Sequence, residues 1–287
     1  MTETFIPKSK EEALGLLNQK KHIILAGGTN LMVKTKKWSA GMSEFESDIV
    51  LIKHLQELKN IGINNRYLSI GAACTFAELE ETILLRNYFS EIISAIASPA
   101  IRNAATIGGN ICNVASEGDI LPLLYALDAI LIIESLSGTR EIAIEDFILG
   151  PGKKDLRAEE LLVEIRIPTN MLKSFYYKKV GTKRSNSLAK ASFIGFYILE
   201  HERIVDVRMA FGAVGARVLR SRELEDRLKG LNKAEMESIL KDLEQEYIKS
   251  IVPIDDKKFT TEDRKEIYLK LMSEFLGSIY DSNLTKE

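Results

Sequence analysis

Two glycine-rich stretches carry the chemistry open to this chain. The longer is Ala105-Thr106-Ile107-Gly108-Gly109-Asn110-Ile111-Cys112-Asn113, followed at once by Ser116-Glu117-Gly118-Asp119-Ile120-Leu121-Pro122. Gly108 and Gly109 lack a Cβ, so their backbone tolerates positive φ and lets a ligand come close. Successive N–H groups in such a turn form a nest for a phosphate. Asn110, Asn113 and Ser116 add short polar groups, and Asp119 offers a carboxylate to hydroxyls. A bare Gly-Gly pair equally suits a tight turn with an Asx cap. The second stretch repeats the chemistry. Ile23-Ile24-Leu25-Ala26 is an apolar, β-branched run that predicts a buried strand, and it feeds directly into Gly27-Gly28-Thr29-Asn30-Leu31. One such loop serves one phosphate, whereas two suit a long ligand that carries two.

Other chemistries find little support. The sequence shows no Ser–His–Asp, Cys–His or paired-carboxylate arrangement that would indicate hydrolysis. His22, His54 and His201 are scattered without metal-ligand spacing. Cys74 and Cys112 form no CxxC, so this chain holds no iron–sulfur cluster alone, and a disulfide is disfavoured in a reducing compartment. A net charge of −2 leaves no basic surplus for a nucleic-acid backbone. No apolar run approaches the ~20 residues of a membrane span. The start, Met1-Thr2-Glu3-Thr4, lacks the basic and apolar regions of a signal peptide, so a cytoplasmic location is expected.

The elements that must hold these loops can be read in order. Ser9 to Glu12 and Thr75 to Glu78 read as capping boxes of two helices. The first helix is followed by the strand Ile23 to Ala26 and a strand over 48–52, which together open the protein as a β–α–β unit. Lys34, Lys36 and Lys37 form a basic run, either a solvated cluster or a neighbour of the ligand phosphates. Trp38 has no assigned role. Alternating Ile61, Ile63, Leu68 and Ile70 around Asn64-Asn65 predict a hairpin. The helix after Thr75 is expected to end near Arg86-Asn87, and the next to run from Ser90 to Ala97, stopped by Pro99. A helix over 121–127, strands over 129–134 and 140–144, and a strand Leu161 to Pro168 follow. Beyond residue 170, strands over 174–180, 193–199 and 204–214 give way to helices from Ser221 onward, an α+β order. Gly212-Ala213-Val214-Gly215-Ala216 lacks the full G-x-G-x-x-G and reads as a strand end and turn.

The segments Ala26 to Leu31, Ser98 to Asn113, Gly118-Asp119 and Leu121-Pro122 resemble the FAD-binding medium subunit of the xanthine dehydrogenase and carbon monoxide dehydrogenase family, the molybdenum hydroxylases. The resemblance extends over essentially the whole chain. It implies an α+β fold in two parts. Residues 1–170 would form a two-subdomain FAD-binding domain of the vanillyl-alcohol-oxidase/PCMH type, with subdomains about 1–53 and 54–170. Residues 171–287 would form a C-terminal α+β domain with a three-stranded antiparallel sheet and helices.

The resemblance also implies roles. Ile24, Leu25, Ala26, Gly27, Gly28, Thr29, Asn30 and Leu31 would wrap the FAD pyrophosphate. Thr106, Ile107, Gly108, Gly109 and Asn110 would embrace its remainder and the ribityl region. Asp119 would accept from FAD hydroxyls, or cap the helix that follows. Leu162 would meet the flavin through its backbone, or serve as a core leucine. Lys179 matches a lysine near the flavin in some relatives, though a surface lysine on a strand fits as well. Ile96 stands where some relatives place a phenylalanine over the isoalloxazine, and Cys112 would lie near the ring or be an inert buried thiol. The cofactor would be FAD. The partners would be a [2Fe–2S] subunit and a molybdenum-cofactor subunit, with NAD, a quinone, ferredoxin or oxygen as electron acceptor. A stand-alone flavin reductase resembling UDP-N-acetylenolpyruvylglucosamine reductase, and a non-catalytic assembly subunit, are the alternative readings.

Overall fold

A computed structural model describes residues 2–36, 44–85, 88–115, 118–169, 174–181, 189–252 and 260–281. Trp38, Lys37, Arg86, Asn87, Ser116 and Glu117 lie outside the described residues. The chain divides into two compact units, Met1–Ala115 with Asp128–Thr169, and Ser116–Leu127 with Asn170–Glu287.

The first unit opens with β1 (Thr4–Phe5), α1 (Lys10–Gln19), β2 (Ile23–Leu25), α2 (Leu31–Lys34) and β3 (Ile49–Leu51). The strands pair in the order β1-β3-β2, all parallel. Ala13, Leu14 and Leu17 recur at helical spacing, and α1 buries them with Val50, Ile52 and Leu55. Each such leucine is worth about 1.5–3 kcal/mol when fully buried. Ser9 Oγ accepts from the Glu12 N–H, but the Glu12 carboxylate reaches past Ser9 to the Lys8 N–H, at 2.6 Å. Only half of the expected box therefore forms.

Next come the hairpin β4 (Ile61–Ile63) and β5 (Tyr67–Gly71), then α3 (Phe76–Glu81), α4 (Tyr88–Ser94), α5 (Pro99–Ala104) and α6 (Ile107–Asn113). Asn64 Oδ1 closes the hairpin turn by accepting from the N–H groups of Arg66 and Tyr67. The capping box at Thr75 is complete. The helix it starts stops at Glu81, short of the expected 86–87, because Thr82 Oγ1 takes the Glu78 carbonyl at 2.6 Å. Helix α4 starts earlier than expected and ends at Ser94. Pro99, read from the sequence as a helix stop, is the first residue of α5, with Ser98 as N-cap. Its missing N–H costs nothing there.

After α7 (Leu121–Ala126), the chain forms β6 (Ile130–Ser135), β7 (Gly138–Ala143), α8 (Ile144–Phe147), β8 (Ile148–Gly150), β9 (Lys153–Lys154) and β10 (Leu161–Pro168). An antiparallel sheet of order β4-β5-β10-β6-β7 results. Its central strand β10 is bulged between Leu162 and Glu164, and the bulge re-aims the backbone there.

The second unit holds β11 (Ser174–Gly181), β12 (Ala189–Glu200), β13 (Arg203–Gly212), α9 (Arg222–Asp226), α10 (Lys233–Ser250) and α11 (Thr261–Ser278), together with α7. β11, β12 and β13 form one antiparallel sheet. His201 and Glu202 both take positive φ, which makes a tight two-residue turn between β12 and β13. The helices cover the sheet with a core built on Phe193, Phe211, Phe275, Tyr247 and Tyr268. Gly195 admits the Phe275 ring directly against the β12 backbone, where a Cβ would overlap it. The Gly212-to-Ala216 segment is the strand end and bend expected of it.

Candidate functional site

In the first unit β2 delivers the chain into the loop Gly27 to Leu31. Gly28 has φ +69°, a conformation glycine adopts without strain. Gly27 lies against the end of α5, where a Cβ would overlap the Ala104 carbonyl. Downstream of the loop, the N–H groups of Met32, Val33, Lys34 and Thr35 all find carbonyls within the segment. Among the described residues, those of Gly27, Gly28, Thr29, Asn30 and Leu31 donate to no protein acceptor. Five consecutive N–H groups without a protein acceptor suit an anionic group.

The second glycine stretch is built differently. The expected nest is a short helix, with Thr106 as N-cap and Gly108 and Gly109 in its first turn. Ile107 N–H donates to the Cys74 carbonyl, Gly108 N–H to Ala72, Gly109 N–H to Thr106 Oγ1 and Asn110 N–H to the Thr106 carbonyl. Those four donors are committed inside the protein. Ala72 also donates its own N–H to the Val163 carbonyl at the β10 bulge, at 2.9 Å. It therefore ties α6 to the strand that carries Leu162. Gly108 is required because a Cβ there would meet Ala72 Cβ and O, each at 2.7 Å. What α6 presents is side chain. Asn110 Oδ1 is buried and takes no hydrogen bond among the described residues, an arrangement that costs about 1–3 kcal/mol unless a ligand donor satisfies it.

Ile96 and Leu162 are both buried, at 6% and 3% exposure. Leu162 is thus a core leucine by its side chain. Burial pushes the Cys112 thiol up to about 11, so it stays protonated near neutral pH. In the second unit, Lys179 on β11 is no surface lysine. Its Nζ lies 2.7 Å from Asp119 Oδ2, and both side chains are only 12% exposed. Asp119 does not cap α7, whose N-cap is Ile120. Asp119 Oδ1 is buried and takes no hydrogen bond among the described residues. Burial raises the Asp119 carboxyl above its usual range, against the opposing pull of Lys179.

Residues without a local sequence signal hold this segment. Arg220, paired to Glu225 at 3.0 Å, donates to the Tyr125 carbonyl, and Arg208 donates to that of Ala126. Pro122 packs where a Cβ on Gly212 would stand. Sequence alone carries no sign of the contacts to α7, because Arg220 and Arg208 lie 95 and 82 positions from the carbonyls they meet. No helix among the described residues is long and apolar enough to cross a membrane.

A parallel sheet that feeds a loop of N–H groups without protein acceptors, and a buried Asn110 oxygen without a donor among the described residues, are features that suit a phosphorylated nucleotide cofactor. Residues 1–170 match the family described as the FAD binding domain in molybdopterin dehydrogenase, and the chain belongs to that family. It is thus an FAD-binding member of the xanthine dehydrogenase-type oxidoreductases. The nicotinate dehydrogenase FAD-subunit of Eubacterium barkeri is 36% identical over 194 residues. That match covers 63% of this chain and 64% of the relative, less than two thirds of the relative's length. The xanthine dehydrogenase FAD-binding subunit of Escherichia coli O157:H7 is 30% identical over 208 residues, 70% of each chain. A chain of the reconstituted CO dehydrogenase from Oligotropha carboxidovorans superposes with a TM-score of 0.86, at 23% identity and over 96% of both chains. It shares the fold, an FAD-binding domain of two subdomains followed by a C-terminal α+β domain.

Proposed function

We propose that this chain is the flavin subunit of a multi-subunit molybdenum hydroxylase, standing between the [2Fe–2S] clusters of a partner subunit and an electron acceptor such as NAD, a quinone, ferredoxin or oxygen. The observation that carries the reading is the run of five N–H groups at Gly27 to Leu31 that, like the buried Asn110 oxygen, have no hydrogen-bond partner among the described residues. A dinucleotide diphosphate and its hydroxyls supply what each lacks. Bound FAD contributes the electron-carrying chemistry, and the protein contributes binding and orientation.

The residues divide that work. Gly27 to Leu31 donate to the diphosphate, with Gly27 seating the loop on Ala104 and Gly28 supplying its positive-φ turn. Gly108 holds α6 against Ala72, so that Asn110 is offered at a fixed place. Asp119 accepts a hydrogen bond from a cofactor hydroxyl through Oδ1, while Lys179, donating to Oδ2, favours the ionised carboxylate against the effect of burial. Ile24 to Ala26 and Ile107 shape the approach, and Leu162, Ile96 and Cys112 are assigned to the flavin end. The C-terminal unit, residues 171–287, is proposed as the second domain. The relatives named as nicotinate and xanthine dehydrogenase subunits support an assembly of this type.

The test is isolation of the chain under native conditions from the cells that make it. The reading expects iron and molybdenum to co-elute with flavin. Flavin eluting with neither metal would contradict the subunit role.

A further inference from the structure

The two glycine stretches are joined by a contact that the reading above does not use. Lys34 Nζ donates to Asn113 Oδ1 at 3.0 Å, across 79 positions of sequence. Lys34 is the last residue of α2, which follows the open loop directly, and Asn113 is the last of α6. Asn113 lies three residues after Asn110, on the same side of the helix. The other end of the loop is already fixed, because Gly27 rests on Ala104 and Ala105 at the end of α5. Lys53 Nζ also holds the Asn103 carbonyl at 3.1 Å. The open N–H groups therefore lie between two anchors on the same α5–α6 segment. Among the described residues, Lys34 has no carboxylate partner, and its acceptor is a neutral amide.

We propose that Lys34 and Asn113 are positioning residues for the flavin nucleotide, latching the loop of free donors to the helix that bears Asn110. The inference rests on the cofactor assignment of those two segments. A loop held at one end samples many arrangements, and binding must restrict them. A loop held at both ends is preorganised, so less ordering is lost when five donors and one side-chain acceptor meet the ligand together. Asn113 acts here only through Lys34, which separates the latch from a plain effect of positive charge.

The test is a double-mutant cycle on the full-length chain freed of flavin. FAD affinity is titrated by flavin fluorescence for the parent, Lys34→Met, Asn113→Ala and the double variant, and each flavin-free protein is melted. A single exposed hydrogen bond to a charged group is small, so each single variant should weaken FAD binding about three- to five-fold. The double variant should be no weaker than either single one, because both remove one contact. The melting temperatures of the flavin-free chains should match. Parent-like affinity in Asn113→Ala, or losses that multiply in the double variant, would overturn the latch and leave Lys34 as an independent charge. A parent chain that binds no FAD is a separate outcome: it fails the cofactor assignment itself, and the latch with it.

Discussion

Gly27 and Ala104 touch backbone to backbone, so closely that a methyl group on Gly27 would occupy the place of the Ala104 carbonyl oxygen. This contact seats the first glycine loop on the end of α5. Gly27→Ala must push the loop off that seat. Forced overpacking of this kind costs about 1–3 kcal/mol. The displacement moves donors that should act together, so FAD affinity should fall about ten-fold or more, which is about 1.4 kcal/mol. Flavin retention on gel filtration and a urea melt report the two effects separately.

The second glycine pair should divide under the same substitution. Alanine gains about 1 kcal/mol over glycine in a helix. At Gly108 the new methyl meets Ala72 Cβ and O, in the turn after β5 that is pinned by the Ala72 N–H on the Val163 carbonyl. At Gly109 it meets only Thr106 Oγ1, a side chain that can rotate away. Loss of that cap costs about 1 kcal/mol, which the helix propensity roughly cancels. Gly108→Ala should lower the denaturation midpoint clearly, and Gly109→Ala should leave it nearly unchanged.

Much of the framework is legible in the chain itself. Leu161 to Pro168 alternates and ends on proline, and it forms the central strand over those residues. Thr75 and Glu78 announce a capping box that forms in full. The local form of Thr106 to Asn113 is not legible. Two adjacent glycines argue for a turn, and the helix exists because Cys74 and Ala72, far back in the chain, accept the first N–H groups. The Lys34–Asn113 and Arg220–Tyr125 contacts escape sequence inspection for the same reason. Their partners meet through the fold, and single charged residues carry no periodicity. Asp119 was visible as a carboxylate, but its burial beside Lys179 was not.

Asp119 sets the expected pH dependence. Burial raises its carboxyl in the folded, flavin-free chain above the ordinary value. The folded state then binds the proton more tightly than the unfolded state does. Its contribution to stability is full below an unfolded pKa of about 3.9 and is lost as pH rises through the raised folded value. A hydroxyl donor at Oδ1 favours the ionised form. FAD affinity should therefore fall as pH drops through the pKa of the free chain. Lys179→Met removes the cation that holds this pKa down, so the fall should begin at higher pH. Asp119→Asn should bind more weakly, without this pH step. Titrations of FAD at a series of pH values check all three.

Arg220 and Glu225 form a pair with side-chain exposures of only 4% and 3%. Glu225 also accepts from the Met209 N–H at 2.7 Å. Arg220→Met would strand a buried carboxylate and release the Tyr125 carbonyl. Breaking one side of such a pair costs about 3–5 kcal/mol. Urea unfolding should show a loss of this size. A change below about 1 kcal/mol would mean that water replaces the guanidinium.

The most direct measurement is the visible absorption spectrum of the purified chain, before and after FAD is added and excess ligand is removed. The account predicts oxidised-flavin bands that stay with the protein and are released as FAD on denaturation. The bands should weaken in Gly27→Ala. A correctly folded chain that stays colourless after exposure to excess FAD would contradict the assignment of both glycine segments.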